Sequence, residues 1–145
     1  MAVKKPGMQD RELVEEWRGV LALHARTVCA LDRALHPFGL GASDFEVLDV
    51  LAGEAADAAG QGSPANGGEC AFRVQEIADR VHLSQSALSR LVGRLERDGL
   101  VTRGMCEKDR RGVRVVLTRK GRDLHSRVLP EQRAVLERML TGKQI

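Results

Sequence analysis

The sequence predicts a mainly α-helical domain carrying one small β-hairpin. Three observations support that prediction. Apolar residues recur at three- and four-residue steps near both ends of the chain, from about residue 10 to 36 and again beyond residue 118. A tight turn at His82-Leu83 leads into Ser84, a good helix N-cap, and then into a regular apolar stripe. Two β-rich runs, Leu100–Met105 and Val113–Leu117, flank a charged segment that ends in Gly112. At 145 residues the chain suits one domain with attached helices, long enough to bury a core without metals or disulfides.

Each element follows in order. Residues 1–9 read as a disordered terminus, and residues 10–145 as a single domain. A helix starts near Asp10, which can cap it, and Leu13, Trp17, Val20, Leu21, His24, Val28, Leu31 and Leu35 form its stripe up to Pro37. So long a helix suggests that a partner chain covers part of the stripe. Ser43 is expected to cap a second helix, with Phe45, Val47, Leu48 and Leu51 inward. Residues 53–69 are small and Gly-rich and read as a flexible loop. Cys70–Val74 suggests a brief strand, and Gln75–Val81 a short helix with Ile77, Ala78 and Val81 inward. The helix from Ser84 carries Leu88, Leu91, Val92 and Leu95 and should end at Gly99. Thr118 is placed to cap a last helix, which Pro130 should kink or split.

Charge is unevenly distributed. The net charge is only +3, but Arg73–Arg122 holds 13 Lys/Arg against 6 Asp/Glu. A basic block beside a slightly acidic remainder suits a polyanion-binding module joined to something else. With 3% aromatic residues and no Tyr, stacking platforms for single-stranded nucleic acid are disfavoured. Three cysteines without a CxxC pair, no secretory signal and no membrane-length apolar run make a reduced, cytoplasmic protein the expectation.

The middle of the chain carries the functional signal. Ser84, Gln85, Ser86 and Ser89 put small polar side chains on the first turns of their helix. Such side chains let a helix enter the major groove of duplex DNA and bond base edges or phosphates. Arg90 and Arg94, one turn apart on a flank of the leucine stripe, can reach a base edge or the backbone. Lys108, Arg110 and Arg111 crowd into four residues at the hairpin tip, where neighbouring anions would relieve their repulsion. Asp109 is expected to pair with Arg111 as a strut, leaving Lys108 and Arg110 as probes. No nucleophile–base pattern, phosphate-cradling loop or metal motif points to an enzyme, and no cofactor is expected.

The run ADRVHLSQSALSRLVGRLERDGLVTRGMCEKDRRGVRVVLTRKGR resembles the winged helix-turn-helix core of the MarR family of bacterial transcription regulators. DRR at Asp109–Arg111 matches that family's D-x-R wing motif. LTRKG at Leu117–Gly121 is similar to its start of the helix after the wing, and GLGASDFEVLDVLA to its second helix. The resemblance covers about residues 11–140. It implies a winged helix-turn-helix at 43–117 flanked by dimerisation helices at 10–36 and 118–145. It also implies a homodimer on a pseudo-palindromic operator, most simply a repressor, and control by small anionic or aromatic molecules bound where the dimer helices meet the DNA-binding lobe. The family pattern carries over to Ser84, Gln85, Ser86, Ser89 and Arg90 as DNA contacts, and to Asp109 and Arg111 in the wing. The chain departs from the family in its longer 53–69 loop and its shorter C-terminus.

Competing readings are a winged-helix module that binds proteins and a thiol-based redox regulator. Cys29 falls too late in its helix to match the peroxide-sensing branch, lacks tyrosines around it, and is expected to be a buried inert thiol. Cys106 precedes the wing. His24, His36, His82 and His125 lack metal-ligand spacing. Trp17, His24, Phe38, Phe45 and Glu46 could line a pocket between the first two helices, but core and interface roles suit them better, and no ligand-binding residues are assigned.

Overall fold

A computed structural model of the chain describes residues 7–60, 72–106 and 109–142, with side chains described at 7–53, 73–104 and 114–142. The order is α1 (Met8–Leu35), a single 3-10 turn (His36–Phe38), α2 (Ala42–Gly60), β1 (Phe72–Arg73), α3 (Val74–Val81), α4 (Gln85–Arg97), β2 (Val101–Cys106), β3 (Asp109–Leu117) and α5 (Arg119–Thr141). The fold is the expected one, mainly helical with a β-hairpin wing. β1 adds a third strand on the far side of the hairpin, giving the antiparallel order β1-β3-β2. Arg73 pairs with Arg114, and β2 runs from Val101 opposite Leu117 to an irregularity at Met105/Cys106.

The apolar spacing becomes one continuous core. Leu35, Phe45, Leu48, Ile77, Leu88, Val92, Leu95, Val101, Val115 and Val128 meet there, all essentially inaccessible to water. Burying one such side chain contributes about 1.5–3 kcal/mol, so the helix-turn-helix and the sheet are held as one body. A second, smaller cluster of Leu31, Ala42 and Val135 joins α1 to α5 and the start of α2.

Helix starts and stops explain the angles between elements. α1 begins two residues earlier than expected: Asp10 caps it from the third helical position, accepting the Gly7 N–H at 3.1 Å. α2 is also capped differently. Asp44, not Ser43, accepts the Gly41 N–H at 2.7 Å, and Asp32 of α1 accepts the Ala42 N–H at 2.8 Å. Gly99 takes φ +77°, so its N–H reaches Glu96 O and the Leu100 N–H reaches Leu95 O, closing α4 before β2. Thr118 caps α5 by accepting the Gly121 N–H at 3.0 Å, and donates its hydroxyl to Gly99 O at 2.6 Å.

Two expectations are corrected. α2 continues to Gly60, past the expected loop start at residue 53. The stretch Glu54–Ala59 holds four alanines, and alanine's helix propensity outweighs the flanking glycines. Residues 61–71 lie outside the described residues. Pro130 does not split α5, which runs unbroken from Arg119 to Thr141. Pro130 is exposed, so the carbonyl whose partner it removes can face water.

Candidate nucleic-acid interface and effector pocket

α3, a two-residue turn and α4 form the helix-turn-helix. His82 makes the turn with φ 58°, ψ 40°, a left-handed conformation that histidine tolerates better than branched residues. Ser84 then caps α4: its Oγ accepts the Ala87 N–H at 3.2 Å and lies 3.4 Å from Ser86 Oγ. Because Leu88, Leu91, Val92 and Leu95 turn inward, Ser84, Gln85, Ser86, Ser89 and Arg90 stand exposed on the opposite face. The N–H groups of the first helical turn point out beside them, where an anion is favoured.

Arg94 departs from the expectation. Its guanidinium pairs with Asp44, which is 5% exposed and caps α2 with its other oxygen. Arg94 therefore ties α4 to the start of α2, while its side chain stays 53% exposed. The sequence reading missed Arg97 and Arg103. Arg97 joins Arg90 and Arg94 along an open concavity of about 890 Å³ on the flank of α4. Arg103 of β2 reaches back to Ser89 O at 3.2 Å, and its backbone N–H donates to Glu96 at 3.2 Å, bracing the hairpin against α4. Lys120 closes the far end by donating to Asp98 O at 2.8 Å. The local signal for Arg97 and Arg103 was only their charge within the basic block.

The hairpin tip was expected to hold Lys108, Asp109, Arg110 and Arg111. Lys108 lies outside the described residues. Asp109, Arg110 and Arg111 belong to β3 by their backbone, but their side chains lie outside the described ones, as does that of Cys106. At the base of the wing, Arg114 pairs with Glu76 of α3 at 3.4 Å.

A separate cavity of about 680 Å³ lies where α1 meets the helix-turn-helix. Val20, Leu23, Val28, Leu31, Val81, Leu83 and Leu140 give it apolar walls, and His24, Thr27, Ser43, Glu46 and His82 supply its polar groups. Of the residues considered for a pocket, His24 and Glu46 line it. Phe45 is buried, stacked 5.2 Å from His125, while Trp17 is 58% exposed on α1. Burial raises the Glu46 carboxyl above its ordinary range, Asp49 adds to the rise, and Arg133 opposes it. Cys29 is exposed in the isolated chain, against the expected burial. Among the described residues, no group of three or more His, Cys, Asp or Glu side chains could hold a metal ion, and no helix is long and apolar enough to cross a membrane.

Comparison with known proteins places this architecture. A model of the MarR family matches residues 65–112, the segment from before β1 into the wing. The crystal structure of AbsC, a MarR family transcriptional regulator from Streptomyces coelicolor, superposes with a TM-score of 0.73 at 28% identity, covering 99% of this chain and 86% of that one. The fold is that of the MarR family's winged-helix regulators, and residues 65–112 carry that family's sequence pattern. Another member of similar fold is Sco3205 from Streptomyces coelicolor, solved in complex with DNA, with a TM-score of 0.73 at 22% identity over 100% of this chain and 82% of that one. The HTH-type transcriptional repressor MdtR of Bacillus subtilis (strain 168) is 34% identical over 70 residues, 48% of this chain. That match spans 45% of the repressor's length, less than half of it.

Proposed function

We propose that this chain is a sequence-specific MarR-family regulator of transcription that binds double-stranded DNA as a homodimer on a pseudo-palindromic operator, acting as a repressor that a small molecule releases. The observation that supports DNA binding most directly is the exposed first face of α4, Ser84, Gln85, Ser86, Ser89 and Arg90, beside a basic wing. Ser84, Gln85, Ser86 and Ser89 contact base edges or phosphates, and Arg90 reaches a base or the backbone. In the wing, Lys108 and Arg110 probe the flanking minor groove while Asp109 and Arg111 hold it in shape. Arg94 has a further job, holding α4 to the start of α2. The likeness to a repressor supports the sign of regulation.

Homodimer formation is supported by the outer face of α1. Leu13, Val14, Trp17, Val20 and Leu21 are 43–58% exposed there, and Leu140 of α5 is 58% exposed. An apolar face of this kind on a single chain marks an interface. Small-molecule control is supported by the 680 Å³ cavity, whose wall includes His82 and Leu83, the two residues leading into the cap of α4. A molecule seated there presses on the turn that aims the recognition helix.

The test is a titration of a labelled duplex carrying the upstream region of the protein's own gene, followed by anisotropy at several salt concentrations. The wild type should bind that duplex far more tightly than random DNA. Arg90→Ala should cost about 1–3 kcal/mol if Arg90 reads a base, or lower the salt slope by about one if it contacts a phosphate. Equal affinity for both duplexes, unchanged by Arg90→Ala, would sink the proposal.

A further inference from the structure

The cavity between α1 and the helix-turn-helix has a charge character opposite to the one the family resemblance implies. Among the described residues, its lining contains no Lys or Arg, and its one carboxylate is Glu46. Two cationic groups of α5 near it are engaged by its neighbour, while His24 and His82 are the other ionisable groups of the lining. Asp49, one turn further along α2, holds Arg133 at 3.1 and 3.2 Å and His125 at 2.7 Å. Among the described residues, Glu46 receives the amide of buried Gln132, at a long 3.4 Å. A half-buried carboxylate without a close counter-ion, beside the negative Asp49, is electrostatically under-compensated. An anion entering the cavity would meet that charge in surroundings of low polarity. A cation would complete the pair.

We propose that this cavity selects a lipophilic cation, an amine or quaternary ammonium on an apolar body, with Glu46 as its counter-ion. The apolar body lies along Val20, Leu23, Leu31 and Leu83, and the cationic head sits against Glu46 near Ser43 and Thr27. Carboxylate ligands are disfavoured by the same group. The inference rests on the reading of the cavity as the effector site, and adds the chemical class of the effector.

Three probes with one apolar body and different heads test it: (5-phenylpentyl)trimethylammonium, 5-phenylpentan-1-ol and 5-phenylpentanoate, titrated calorimetrically into the full chain. The ammonium should bind best and the carboxylate worst. Glu46→Gln, nearly the same shape without the charge, should weaken the ammonium roughly tenfold, in line with loss of a charge-assisted contact, and leave the alcohol unchanged. Circular dichroism on the variant checks that it is folded. A carboxylate that binds more tightly than the ammonium, or ammonium affinity that Glu46→Gln does not change, overturns the cation assignment while leaving a ligand-binding cavity in place. If none of the three binds and the wild type still grips its duplex, the effector-site reading fails and the inference with it, while the DNA-binding proposal stands.

Discussion

Ser84 serves two purposes that substitution can separate. Its hydroxyl caps α4 through the Ala87 N–H, and it stands on the face proposed to meet DNA. Ser84→Ala removes both and should cost about 1 kcal/mol of stability, read from denaturant unfolding. Ser84→Asp restores the cap with a better acceptor at the positive end of the helix, so stability should recover. Its charge would repel phosphate, so duplex affinity should stay low. Recovery of both properties together would argue that Ser84 only caps. The cap was legible in the sequence because N-cap chemistry is local. The pairing of Arg94 with Asp44 was not, since it joins residues 50 positions apart. At close range Arg94 and Arg90 look alike, two arginines flanking one leucine stripe, and only the Asp44 carboxylate at the start of α2 separates them. Glu46 was legible as a possible pocket residue. The engagement of Arg133 and His125 by its neighbour Asp49 was not, because that depends on how α2 meets α5.

Helices and strands were the most readable scale. The periodicities of α1, α3, α4 and the hairpin survive almost unchanged, because each rests on a run of apolar spacing with a cap or a glycine at its end. The misjudged ends are places where two local signals compete. Alanine-rich helix propensity opposed a Gly-rich composition beyond residue 53, and Pro130 opposed an otherwise strong stripe in α5. That stripe buries His125, Val128, Gln132 and Val135 on both sides of the proline, and tertiary packing holds the helix through it. Pro130 therefore costs α5 a hydrogen bond without ending it. Pro130→Ala should raise the unfolding free energy by about 1–3 kcal/mol, the difference in helix propensity. A loss of stability would mean that the proline sets a bend the packing needs. Gly121 behaves in the opposite way. A Cβ there would lie 2.1 Å from Leu100 O, so the first turn of α5 rests directly on the start of β2 and tolerates no side chain.

For the whole molecule, the chain divides into a packed lobe and an unfinished edge. The lobe contains the helix-turn-helix, the sheet and the inner half of α5. Along the edge, the first half of α1 has no buried residue before Thr27. A long stripe at helical spacing predicted this helix, and its surplus length predicted a partner. Leu13→Glu with Leu21→Glu should convert the protein to a monomer in sedimentation velocity. Losing the second half-site should then weaken operator binding by orders of magnitude, since linked binding raises effective affinity about 10²–10⁴-fold. The lobe itself, closed by its own core, should keep its circular dichroism. A variant that stays dimeric with full affinity would place the interface elsewhere.

Trp17 gives this edge an optical use. It is the one tryptophan in a chain without tyrosine, and it stands 58% exposed on the outer face of α1. Ultraviolet emission from the unmodified protein therefore comes almost entirely from one indole placed where two copies are proposed to meet. Dilution through the dissociation constant should move that emission to longer wavelength as water reaches the ring. Adding operator DNA should move it back. Subunit exchange can thus be followed in real time with no dye attached.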